Sequence, residues 1–255
     1  MKRGFVKKGD IIDRTGEKFI TNEGYEVEIV QYFGVYDCTI RFSDGTIICN
    51  MNFGNIKKGT VKNPNHKSVQ GIGYFGIGEY KAHAGNSENT TVYNVWRNMI
   101  IRCYNSKAQL KQPAYIGCSV HHDWHCFQNY AKWYYENKTE DWYVDKDILF
   151  KGNKVYSPET CCFVPNEINV LFTNSRKSRG EFPVGVQKYS RKFKVALSIN
   201  GKHVYLGLFS TIEEAFQIYK TTKESHIKEV ANLWRPRIMP KVYEAMINYE
   251  VEITD

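Results

Sequence analysis

WYVDKDILFKGNKVYSPETCCFVPNEIN, from Trp142 to Asn169, is the stretch on which the fold turns. Trp142, Tyr143 and Val144 read as a strand that runs into an acidic tip, Asp145-Lys146-Asp147. Gly152-Asn153 is a turn signal, and Cys161 to Val164 read as a second strand. A helix then opens at Pro165, where the missing N–H of proline has no cost, and Asn169 falls on its first turns. Strand, loop, strand and helix, with acids at one end and a helical amide at the other, form a ββα hairpin able to cup one divalent cation. Asp145, Asp147 and Asn169 are its candidate ligands; oxygen donors in small number suit Mg²⁺ or Mn²⁺.

At these residues the chain resembles the HNH nucleases of phages and mobile introns. Asp145 or Asp147, Gly152-Asn153-Lys154, Phe163-Val164-Pro165 and Asn169 occupy the places of that family's motif. The resemblance implies metal-dependent hydrolysis of DNA. It departs from the family at the residue after the metal-binding Asp, where the family carries a His that activates water. Lys146 follows Asp145 here, and Ile148 follows Asp147. Three readings remain open: a base brought from elsewhere, such as His122; Lys146 itself acting as base or phosphate ligand; or a centre without activity. Tyr156 and Thr160-Cys161 stand where relatives have a structural Asn and an Asn-Leu pair, and the Thr160 hydroxyl can bridge the loop instead.

Lys and Arg outnumber Asp and Glu by 35 to 27, and the excess is clustered. From Arg176 to Tyr205 there are eight Lys or Arg and one acid, Glu181. A clustered basic excess on a globular chain points to a polyanionic partner. The sequence shows no apolar run long enough to span a membrane and no leader-like start. Seven cysteines, an odd number without framework spacing, suit a reducing cytoplasm, and the resemblance implies that of a bacterial or phage-infected cell. Cys118 and His121 have C-x-x-H spacing, so a structural zinc with Cys103 and Cys161 or Cys162 is one reading. Buried thiols behaving as small apolar residues are the other.

Residues 1–75 read as a small all-β module. Gly24 to Val30 and Cys38 to Phe42 alternate at period two, and Asp44-Gly45 is a hairpin signal. The glycine- and aromatic-rich residues 65–90 read as a linker or extended arm. A helix is predicted from Thr90, with Val92, Val95, Trp96, Met99 and Ile100 on one face and Arg97 and Arg102 off it. Either arginine is a candidate phosphate clamp. A second helix is predicted from Asp123 through Tyr134, with His121 and His122 before it and His125 in its first turn. Both helices would brace the hairpin, which alone is too small to hold a core.

Asn174 to Gly180 is a polar, basic boundary, with Arg176, Lys177 and Arg179 as candidate DNA contacts. Three short strands follow, then Ser210-Thr211 cap a helix whose first turn carries Glu213 and Glu214. The pattern Y-L-G-x-F-x-T-x-E-E-A-F-x-x-Y over residues 205–219 resembles the APETALA2-type DNA-binding domain, a likeness that covers about 182–230. It implies a sheet laid into the major groove, with Gln187, Lys188, Arg191, Lys192, Lys194, Lys202 and Tyr205 facing DNA. A last helix is predicted after Pro240, packed back on the body.

The sequence therefore predicts an α+β protein in three parts: a β-rich module (1–75), an HNH-like ββα-metal domain braced by helices (76–173), and an APETALA2-like domain with a terminal helix (174–255). The expected function is a metal-dependent endonuclease acting on double-stranded DNA. The alternative is a DNA-binding regulator whose nuclease centre has lost its activity. Cutting both strands with one centre per chain calls for a homodimer or for sequential nicks.

Overall fold

Period-two alternation builds the N-terminal sheet as expected. Strands β1 (Lys18–Ile20), β2 (Glu26–Gly34), β3 (Asp37–Phe42) and β4 (Ile47–Met51) pair antiparallel in that order. Val27, Ile29, Cys38, Ile40 and Phe42 turn to one side and bury with Ile56 of the short helix α1 (Phe53–Lys57). The Asp44-Gly45 turn closes β3 onto β4: Gly45 takes φ +87°, and Asp44 Oδ1 accepts the Thr46 N–H at 3.0 Å. The computed structural model describes residues 12–85, 88–172, 181–199 and 201–253. They form two compact units: one reaches Asn105 and includes His122–Ala131, and the other comprises Ser106–His121 and the chain from Lys132 onward.

The first unit corrects the reading of residues 65–90 as a linker. Backbone bonds at 2.9 Å tie Tyr74 N–H to the His125 carbonyl and Phe127 N–H to the Tyr74 carbonyl. The Gln128 amide both accepts from and donates to the backbone of Tyr80, each at 3.0 Å. A stretch so bonded is packed structure. Helix α2 (Thr91–Tyr104) begins where its cap predicts, with Thr90 Oγ1 accepting from Tyr93 N–H. It buries Val92, Trp96, Met99, Ile100 and Cys103, and Trp96 Nε1–H donates to the Trp124 carbonyl at 2.7 Å.

The second unit begins with α3 (Ser106–Lys111) and β5 (Ser119–Val120). After α4 (Phe127–Asn137), whose first residues belong to the other unit, come β6 (Tyr143–Asp145), β7 (Val155–Tyr156), β8 (Cys162–Val164) and α5 (Asn166–Leu171). β6 and β8 pair antiparallel, with Tyr143 opposite Val164 and Asp145 opposite Cys162; β5 and β7 pair parallel. The order strand–loop–strand–helix over 142–169 is as read from the sequence, except that the loop carries the short strand β7 and Pro165 precedes α5 rather than opening it. The C-terminal sheet follows: β9 (Val186–Tyr189), β10 (Lys192–Ile199) and β11 (Lys202–Phe209), antiparallel with β10 in the centre.

Helix α6 (Ile212–Trp234) joins the two halves of this unit. Thr211 and Glu214 form a capping box at its start. Its early residues Ala215 and Tyr219 bury against Val186, Val195 and Leu197 of the sheet. Its later residues Ile227, Val230 and Ala231 bury against Ile148, Cys162, Val164 and Ile168 of the hairpin region, together with Val242 and Met246 of α7 (Pro240–Ile247). One continuous helix, ~34 Å long at 1.5 Å per residue, thus shares its apolar face between sheet and hairpin. The terminal residues strap it: Val251 N–H donates to Glu224 and its carbonyl accepts from Lys220 Nζ, each at 2.8 Å.

Gly185 enters β9 at φ +75°, and a Cβ there would run into the ring of Tyr219, which is 7% exposed. Gly185→Ala is expected to cost about 2 kcal/mol through backbone strain and displacement of that ring. Urea unfolding of the full chain measures it; an unchanged midpoint would mean that the sheet–helix contact yields freely.

Candidate nucleic-acid interface and hairpin centre

The hairpin's acidic tip is closed on itself. Asp145 Oδ1 accepts the backbone N–H groups of Asp147 and Ile148, at 2.7 and 2.8 Å. Burial raises the Asp145 carboxyl above its ordinary range, against the lowering effect of those two N–H bonds. Lys146 is buried, and its ammonium donates to Asp147 Oδ1 and, at 3.0 Å, to the Asn153 carbonyl. Asn153 answers through its side chain, donating to the carbonyls of Lys146 and Val155 and accepting the Val155 N–H. Thr160 bridges the rest of the loop as its hydroxyl suggested: Oγ1 donates to the Val155 carbonyl at 2.7 Å and accepts the Ser157 N–H at 3.1 Å. Asn169 lies within α5, half-buried.

This donor set does not fit a divalent cation as it stands. One oxygen of Asp145 is spent on two backbone donors, and an ammonium already sits on Asp147. A second cation brought to the same carboxylates would meet like charge. Lys146 is likewise poorly disposed as a base, since its ammonium donates to two acceptors and is shielded from solvent.

The remaining predicted residues fall in both units. Arg102 and Cys103 lie on α2, and His122 in the short turn after β5; all three belong to the first unit, whereas the hairpin belongs to the second. His122 is largely exposed, with Nε2 2.9 Å from Asp123 Oδ1. The proposed zinc ligands divide between the units as well, with Cys118, His121 and Cys161 in the second. Cys118 Sγ donates to the Ala114 carbonyl. Burial pushes the Cys161 thiol up to about 12 and raises that of Cys162, as for thiols packed among apolar neighbours. Among the described residues, His121, His122 and Asp123, consecutive in the chain, bring three ligand atoms within 4.8 Å of one another.

The C-terminal sheet separates its residues by register. Val186 faces Val195 across β9–β10, and Val195 and Leu197 bury against α6. Residues alternate sides along a strand, so Lys192, Lys194, Ala196 and Ser198 of β10 form the open face. Their partners extend it: Tyr189 opposite Lys192, Gln187 opposite Lys194, Tyr205 opposite Ala196 and His203 opposite Ser198. Of the seven residues expected to face DNA from the sheet, Gln187, Lys192, Lys194 and Tyr205 share this face. Lys188 and Lys202 are corrections: their partners are Phe193 and Ile199, which point to the helix side. Arg191 lies in the β9–β10 turn. Arg176, Lys177 and Arg179 lie outside the described residues. Sequence reasoning missed Tyr189 and His203. A two-residue turn at Ser190-Arg191 would have placed Tyr189 opposite Lys192.

No protein-family model, no curated protein and no solved structure matches the chain. No helix among the described residues is long and apolar enough to cross a membrane.

Proposed function

We propose that the chain is a duplex-DNA-binding protein that presents the open face of β9, β10 and β11 to its ligand. The observation that carries this reading is the charge of that sheet: its three strands hold four lysines and no acidic residue. Two of those lysines stand on the face turned away from the core. Each one placed on a phosphate releases counterions, so binding must weaken as salt rises. Polar Gln187 and the hydroxyls of Tyr189 and Tyr205 supply groups for base edges. In this reading the hairpin is a rigid scaffold held by the Lys146 ammonium, and the long α6 fixes the sheet to it.

A second reading, an endonuclease of HNH type, is favoured by one observation: β6, β8 and α5 follow in ββα order with Asn169 on the helix. Two measurements on the full chain separate the readings. Titration of a labelled duplex at graded salt is expected to show binding with a steep salt slope, and absence of binding at low salt overturns the first reading. Supercoiled plasmid incubated with Mg²⁺ or Mn²⁺ is expected to stay uncut. Nicking that Asp147→Ala abolishes would instead establish the second reading.

A further inference from the structure

The open face carries two aromatic rings for which an intact duplex offers no stacking surface. Tyr189 and Tyr205 are 60% and 57% exposed, one on each side of the central strand β10. Each is matched to a lysine of that strand. Tyr189 is directly opposite Lys192, and Lys194 Nζ lies 5.9 Å from the centre of the Tyr205 ring. A lysine and a tyrosine therefore stand together on this face twice, with the ammonium beside the ring at Lys194 and Tyr205. One nucleotide offers the complementary pair, a phosphate and a base joined through one sugar.

The spacing fits two such nucleotides in succession. Lys192 and Lys194 are two residues apart on one face, ~6.6 Å at the rise of a strand, comparable to the step between successive phosphates of a nucleic-acid strand. Their tyrosines lie on opposite flanks, one on β9 and one on β11. Bases following two adjacent phosphates into those positions would be turned apart and unstacked from each other. Base pairs in an intact duplex expose only their edges, so a tyrosine ring cannot stack on them. Between the flanks, Ala196 and Ser198 keep the centre of the face low. Stacking of an unpaired base on an aromatic ring is independent of base identity, because every base has a π face.

We propose, building on the assignment of this face to DNA, that it holds two adjacent unstacked nucleotides, one base on Tyr189 and the other on Tyr205. The preferred ligand is then DNA already opened or easily opened at two positions, rather than uniform duplex.

The test compares a labelled duplex with the same duplex carrying a two-nucleotide bulge, by fluorescence anisotropy with the full chain. The bulged DNA is expected to bind about a hundredfold more tightly, and Tyr189→Leu and Tyr205→Leu each to remove about tenfold of that gain. Phenylalanine at either position retains the preference, because the ring and not the hydroxyl makes the contact. Quenching of 2-aminopurine placed in the bulge gives a second readout that a change in charge would not move. Equal affinity for the two DNAs overturns the proposal while leaving DNA binding intact, as does a preference that survives the double leucine variant. Failure to bind either DNA overturns the assignment of the face, and this proposal with it.

Discussion

A chain carrying alanine at both Lys192 and Lys194 is expected to bind duplex DNA roughly a hundredfold more weakly at low salt, about tenfold for each ammonium withdrawn from a phosphate. Its plot of log affinity against log salt should be shallower by about 1.8, since each phosphate neutralised contributes ~0.9 to the slope. The informative control is the pair Lys188→Ala and Lys202→Ala. It removes the same charge from the same sheet but from positions in register with Phe193 and Ile199, on the helix side. Net charge falls equally in both doubles, so a purely long-range field would weaken both alike. Binding through the open face weakens only the first strongly. If the control pair flattens the salt slope as much as the test pair, the face has been assigned wrongly.

That contrast also marks where the sequence stops being legible. The basic cluster, the three strands and the capped helix are all readable because each is a local pattern. Thr90 and Thr211 cap their helices through atoms three residues away, and Thr160 closes its loop over five residues or fewer. The side to which each lysine points depends on strand register and on a bulge between Val195 and Ala196, which alternation alone does not number. The glycine-rich stretch after Asn65 escapes a sequence reading for a related reason. Its order comes from backbone bonds between Tyr74 and His125 or Phe127, some fifty residues on, and such pairings leave no periodic trace. The hairpin lies between these cases. Its ββα order is plain in the sequence, but the engagement of Asp145, Lys146 and Asp147 with one another and with Asn153 is visible only in three dimensions. A motif match assigns an acid to a metal without showing whether its oxygens are already taken.

The most consequential of those engagements is the buried ammonium. Lys146→Ala is expected to cost about 3 kcal/mol in urea unfolding, because the Asn153 carbonyl and the Asp147 carboxylate both lose their donor. The ammonium's place over the Tyr156 ring, 5.7 Å from its centre, goes as well. Lys146→Met keeps the stem and should lose about 2 kcal/mol. Asp145→Asn should behave oppositely. Its amide oxygen can still accept the N–H groups of Asp147 and Ile148, and the charge that burial disfavours is gone. The pH dependence follows from the raised carboxyl. The folded chain keeps this proton to higher pH than the unfolded chain, so folding takes up a proton between the two values. This group's contribution makes stability rise as pH falls through the folded value, and stay flat above it; Asp145→Asn should remove that component. A divalent ligand would reverse these signs, since a carboxylate that holds a metal is needed charged. If millimolar Mg²⁺ raises the unfolding midpoint of the native chain and Asp145→Asn abolishes that rise, the tip is a metal centre and the ammonium is not its brace.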